Sequence, residues 1–296
     1  MQTIEQLRDK IDAAEGLHQV VRTMKGLAAV NIRQYQRAAE SLQQYAQTVE
    51  QGLAVALRTG RDELQLRRPT RTEADSPVLA VAFGSDQGMV GRFNSTLADH
   101  LAATLDRAET PRHRRWVLVA GRRLASRLAA DGADVRRAFD LPASAEGIAP
   151  HSQQVLPAVQ ELRDRGAGRV WLVHHVPAGG SAYHATTRDV FPLSMDWLTD
   201  LRDRDWPGPS LPIVRAQPRE MLAGLIDQYV FVSLFRAFAA SMAAENASRL
   251  ASMQAAESNI EDRLAHLRQQ YHRRRQGEIT SELLDVMAGF EAARPH

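Results

Sequence analysis

The residues able to do chemistry gather in four places. The stretch from Ser76 to Asn94 reads SPVLAVAFGSDQGMVGRFN. An apolar run, Val78 to Phe83, stops at Gly84. Gly88 and Gly91 follow before a segment of helical pattern. A strand, a glycine loop and a helix start form the usual platform for a phosphate, because backbone N–H groups and the helix dipole converge there. The details argue against that use. A Walker loop needs a Lys to neutralise the β and γ phosphates, and this loop has none. A dinucleotide fingerprint needs Gly-x-Gly-x-x-Gly, and Gly84, Gly88 and Gly91 have the wrong first spacing. Ser85, Asp86 and Asn94 suit caps and tight turns. The loop is expected to be structural or to meet another subunit, with no direct nucleotide binding and no cofactor.

His174 and His175 lie in a second place, with His184 nearby. Adjacent strand residues point to opposite faces, so the pair does not readily chelate one metal, and no metal site is expected there. Arg273, Arg274 and Arg275 form a third. The plain reading is a solvated helix face. The sharper one is recognition of carboxylates, which guanidinium forks pair bidentately. The fourth is Lys25 beside Met24, a charge at a position where an apolar residue is due; a lone polar group there often only fixes register. No Ser/His/Asp set and no paired carboxylates stand out, so the chain is not expected to be an enzyme on its own.

The elements that must hold these residues fall into three zones. Residues 1–60 contain no proline, and their seam steps by threes and fours: Ile4, Leu7, Ile11, Ala14, His18, Val21, Lys25, Ala28, Ile32, Tyr35, Ala39, Leu42, Ala46, Val49, Leu53 and Ala56. A seam held over eight heptads predicts a coiled-coil helix, started by Thr3 with Gln6 three residues on. Residues 75–212, after the polar linker 67–75, alternate short apolar runs with helical patterns and predict an inserted α/β, Rossmann-like domain. Its strands are expected at 78–83, 116–120, 135–139, 170–175 and 183–191, and its helices at 93–105, 122–130 and 153–165. Residues 213–296 read as a second long helix. Leu222, Ile226, Val230, Leu234, Phe238 and Met242 step by four, and Met253, Ala256, Ile260, Leu264, Leu267 and Tyr271 continue. The polar Glu245, Asn246, Arg249 and Ser252 interrupt a face that should be packed. Two such helices cannot bury themselves on the middle domain, so they are expected to pair as a long antiparallel coiled coil.

Composition narrows the class. The 296 residues carry a formal net charge of +2, which does not argue for a nucleic-acid partner. Lys occurs only at Lys10 and Lys25, and every other cation is Arg, in keeping with a GC-rich genome. There is no Cys, so no disulfide framework, thiolate site or thiol switch. The start lacks the basic-then-apolar pattern of a signal peptide, and no uninterrupted apolar run nears the ~18 residues of a membrane span. A soluble, cytoplasmic chain is expected.

Three patches carry a family resemblance. VRTMKGLAAVNIRQYQRA (21–38), SDQGMVGRFN (85–94) and AENASRLASMQAAESN (244–259) with YHRRRQGEITSELLDVMAG (271–289) resemble, in order, segments of the F-type ATP synthase gamma subunit. The likeness spans the chain, and Arg275-Gln276 through Ile279-Thr280 to Glu282 is its most specific part. It implies a central rotor shaft that couples ion flow to ATP synthesis or hydrolysis, with alpha and beta subunits, the epsilon subunit and the membrane c-ring as partners. The subunit itself would hydrolyse nothing and would sit peripherally on the cytoplasmic face of a bacterial plasma membrane. Met24 and Lys25 match residues facing acidic loops of the catalytic ring. Arg275, Gln276, Thr280 and Glu282 match its contact motif, with Asp285 where Glu is commoner. Asp86 and Gly88 match a loop of the foot domain, where Gln87, Val90 and Arg92 depart from the family pattern. A sodium-pumping alternative F-type ATPase remains open, as does, from another class, a free-standing nucleotide-binding α/β enzyme.

Overall fold

The computed structural model describes residues 3–59, 76–179, 182–208, 214 and 217–292, the side chains of 218 and 289–292 excepted. The expected linker 67–75 lies outside the described residues. Two long helices, α1 (Ile4–Ser41) and α7 (Pro218–Ala292), flank a central mixed sheet. The chain divides into two compact units, Met1–Leu27 with Leu250–His296, and Ala28–Arg249. Both helices contribute to both units.

In the first unit, α1 runs antiparallel to α7. Glu15 meets Arg268, His18 meets Glu261 and Lys25 meets Glu257, so one number rises as the other falls. Leu7 and Val21 are buried, as are Met253, Leu264 and Leu267. The remaining seam positions are partly covered and their flanks are exposed, as a seam of period 3.5 requires. Thr3 and Gln6 form a reciprocal capping box: Gln6 N donates to Thr3 Oγ1 at 3.3 Å and Thr3 N to Gln6 Oε1 at 3.2 Å. Beyond Tyr271 every described side chain, from 272 to 288, is exposed.

The second unit holds the sheet. Its strands are β1 (Val78–Phe83), β2 (Arg115–Ala120), β3 (Asp134–Phe139), β4 (Arg169–Pro177) and β5 (Tyr183–Phe191), in the order β3-β2-β1-β4-β5. The first four are parallel and β5 pairs antiparallel at the edge. Helices α3 (Phe93–Arg107), α4 (Arg122–Ala130) and α5 (Ile148–Asp164) cover the faces. Period-2 alternation sorts β1 between two cores. Leu79, Val81 and Phe83 join α5 and α7, while Val78, Ala80 and Ala82 join Leu97 and Leu101 of α3 and Leu124 of α4. A strand buried on both faces must be apolar throughout, which explains the run VLAVAF.

Three sequence expectations need correction. The N-terminal helix is not continuous to residue 60: it breaks at Leu42, and α2 (Gln43–Thr59) follows. Past that break the seam residues Ala46, Val49 and Leu53 pack with Leu198 and Leu201 of α6 (Met195–Asp203) and Val232 of α7. Helix α6 was not expected, although Ser194 Oγ caps its start, accepting from Trp197 N at 3.3 Å. Helix α5 begins at Ile148, five residues before the expected start, because Ile148 is buried as its first anchor. Finally, α7 does contain an 18-residue stretch apolar enough by composition to cross a membrane, with mean hydropathy 1.3. Its Val230, Leu234, Phe238 and Met242 are buried in the core beneath the sheet, which explains that composition without a bilayer.

The polar interruption in α7 has a structural cause. Glu245 and Arg249 form a buried i,i+4 ion pair at 2.6 Å, and Asn31 of α1 reaches Asn246 at 3.4 Å. Burial pushes the Glu245 carboxyl up, and Arg249 counteracts it. The same packing, with the nearby Glu245 charge, pushes the Tyr35 hydroxyl up to about 12. Removing one member leaves an uncompensated buried charge. Arg249→Ala is therefore expected to cost about 3–5 kcal/mol in urea unfolding, and replacing Glu245 and Arg249 together by Met is expected to cost clearly less.

Candidate functional site

The glycine loop runs from the end of β1 to the start of α3 and is closed on itself. Ser85 is fully buried. Its N–H donates to Asn94 Oδ1 at 3.0 Å, and Asn94 Nδ2 donates to Ser85 Oγ at 2.8 Å. Gly84 is required sterically, since a Cβ there would lie 2.2 Å from Leu124 Cβ. Gly121, at φ +111, brings the next β–α turn so close that a Cβ would sit 2.8 Å from Ser85 N.

A carboxylate of the loop turns inward onto the neighbouring elements. Asp86 Oδ1 accepts from the first N–H of α4, Arg122 N, at 2.7 Å, and its Oδ2 accepts from Leu141 N at 2.9 Å. Arg123 N donates to Ser85 O at 3.0 Å. A carboxylate at a helix N-terminus is electrostatically favoured, so Asp86 fills the anion position from within. In an open α/β sheet a ligand binds in the crevice at the carboxyl ends of the strands where their order reverses. Here α7 lies at that end of β1. Ser241 Oγ donates to Phe83 O at 2.9 Å and Ser248 Oγ to Val90 O at 2.7 Å. Tyr183 OH lies 3.0 Å from Ser248 Oγ, Phe238 meets Phe83 edge-on at 4.7 Å, and Ala244 packs with Val90 and Phe93. A cavity of about 320 Å³ lies elsewhere, lined by Glu50, Arg58, Arg204 and Trp206 among others.

The other candidates fall as follows. Gly88 packs near the Arg123 guanidinium, while Gln87, Met89 and Arg92 face solvent. Met24 and Lys25 lie partly covered on α1. Lys25 Nζ donates to the Glu257 carboxylate, and this hydrogen bond holds that carboxyl below its usual range. The register charge therefore already has a carboxylate within the chain. Arg275, Gln276, Thr280, Glu282 and Asp285 are all exposed on α7, Thr280 Oγ1 bonding back to Gln276 O at 2.8 Å. Around them Ile279, Leu283, Leu284, Val286 and Met287 are exposed too. Leu17, Val20, Leu27 and Val30 make a second uncovered apolar stripe on α1. These stripes escaped the sequence reading, although their spacing of threes and sevens beside the seam was visible. So was the seven-residue interval between Ser241 and Ser248.

His174 and His175 point to opposite faces, as expected. His174 meets Phe83 edge-on, while His175 packs between Phe93 and Tyr183. His184 is exposed, so the three do not form one ligand set. Burial lowers the two buried imidazoles to about 4 and about 3.

The ATP synthase family model matches residues 3–293. The ATP synthase gamma chain of Anaeromyxobacter sp. (strain Fw109-5) is 26% identical, covering 99% of this chain and all of that protein. The one from Salinibacter ruber is 27% identical, covering 99% and 98%. Among solved structures, a chain of the Euglena gracilis mitochondrial ATP synthase OSCP/F1/c-ring assembly shares the fold at TM-score 0.65 and 18% identity, covering 98% of this chain and 94% of that one. A chain of the rotor of the same enzyme matches at TM-score 0.59 and 18% identity, covering 93% and 98%.

Two expected outcomes test the site. Asp86→Ala strands two backbone donors and should cost about 2–5 kcal/mol in chemical unfolding. The folded state keeps His174 and His175 neutral below the ordinary value of 6.5, so the unfolded state binds more protons there. Stability should fall as pH drops from about 6.5 toward about 4, by at most roughly 1.4 kcal/mol per pH unit for each imidazole, and His175→Phe should flatten the slope. The match over nearly the whole chain, the full-length relatives and the shared fold agree: the chain belongs to the ATP synthase gamma family.

Proposed function

We propose that this chain turns inside a ring of alpha and beta subunits and makes their catalytic sites differ, while hydrolysing no ATP itself. The observation that carries this reading is the uncovered end of α7. From 272 to 288 every described side chain is exposed, and five large apolar ones lie among them. Exposed apolar stripes on a folded chain mark surfaces that partners cover. The glycine loop supports a non-catalytic part, because it lacks the Lys and the glycine spacing of a phosphate cradle.

In this reading the arginine run gains its purpose from the ring. Arg275 and Gln276 present hydrogen-bonding groups to a loop of the catalytic subunits, and Thr280, Glu282 and Asp285 extend that surface. Met24 and Lys25 meet acidic loops, with Lys25 shared between Glu257 and a carboxylate of the ring. The loop near Asp86 and Gly88 offers Gln87, Met89 and Arg92 toward the epsilon subunit and the c-ring. The complex sits on the cytoplasmic face of the plasma membrane, and this chain reaches the membrane only through it.

The test is a reconstituted complex carrying Arg275→Ala with Gln276→Ala. Assembly with alpha and beta subunits should persist, while ATP-driven ion pumping per ATP hydrolysed drops several-fold, since interfacial polar contacts are lost. Wild-type pumping in the double variant would overturn the assignment of those two residues. A wild-type chain that purifies without alpha and beta subunits would overturn the reading itself.

A further inference from the structure

The geometry points to a divalent transition-metal site across the antiparallel helix pair, formed by His18 of α1 with Glu257 and Glu261 of α7. One ligand atom from each of these three residues lies within 4.8 Å of the others. His18 Nε2 and Glu261 Oε1 are already 3.3 Å apart. Metal–ligand arms of about 2.1 Å in a tetrahedron put ligands about 3.4 Å from one another. The His18–Glu261 edge therefore needs no change, and the remaining edges close by roughly 1 Å through rotation of two Glu side chains.

The placement favours a site over a chance meeting of surface charges. His18 stands at a seam position where the heptad calls for an apolar residue, and its side chain is 24% exposed. Glu257 and Glu261 are four apart on α7 and so share one face. Glu257 is 16% exposed and Glu261 61%, so two ligands are held by packing and the third opens to solvent. That leaves a fourth position for water, as in a three-ligand zinc site. One imidazole with two carboxylates suits zinc and its neighbours, whereas magnesium and calcium favour all-oxygen sets.

The surrounding charges set the affinity. Lys25 donates to Glu257 through one carboxylate oxygen, leaving the other free. Arg22 also draws on the Glu257 charge. Two carboxylates neutralise the ion, and these two cations then reduce its affinity. Binding would replace the His18–Glu261 contact with a metal bridge and tie α1 to α7 at this level.

The experiment titrates zinc chloride into the full chain by calorimetry, beside His18→Ala, Glu261→Gln and His113→Ala, the last changing an exposed histidine on a distant turn. One zinc ion per chain is expected in the wild type and in His113→Ala. Affinity should fall more than about tenfold in His18→Ala and in Glu261→Gln. Zinc should also raise the thermal unfolding midpoint of the wild type more than that of Glu261→Gln, whose exposed side chain makes misfolding a poor explanation. Wild-type affinity in both site variants, or no saturable binding by the wild type, would overturn the proposal.

Discussion

The arrangement depends on one junction, where α7 crosses the carboxyl end of β1. Ser241 and Ser248, seven residues apart and so on one helical face, donate to the carbonyls of Phe83 and Val90. Between them Ala244 is small enough to let the helix approach Val90 and Phe93. Without those hydroxyls each of the two carbonyls loses a hydrogen bond at a buried position, Val90 O keeping only Phe93 N at 3.1 Å. With them, the crevice where such sheets hold ligands holds the protein's own helix.

The same economy recurs nearby. Asp86 supplies the negative charge that the start of α4 attracts. Glu245 and Arg249 neutralise each other where burial forbids a lone charge. Lys25 finds Glu257 within its own helix pair. Each of these polar groups meets a partner inside the chain. At the end of α7, by contrast, polar and apolar side chains alike are exposed from 272 to 288.

Much of this was legible in the residues. The period-3.5 seam marked both long helices, and the run VLAVAF marked a strand covered on both faces. Strand β5 and helix α4 were placed to the residue. The break at Leu42 was not legible, because the seam continues through it unchanged; what changes is the partner, from α7 alone to α6 and α7. Helix α6 was missed although Ser194 offers a cap at its start. At the loop, spacing alone was enough to argue against a phosphate cradle. It could not show that Asp86 takes the phosphate's place, since that depends on Arg122 and Leu141, 36 and 55 residues away. The Lys25–Glu257 pair likewise joins residues 232 apart, beyond any local pattern.

The central claim is that this chain rotates. It contains no Cys, so His113→Cys, at an exposed position assigned to no partner, gives this chain a single thiol for attaching a bead on the immobilised complex. ATP should drive unidirectional rotation of the bead, with rotation and hydrolysis rising together. A bead that stays still while the complex hydrolyses ATP at its full rate would contradict the account.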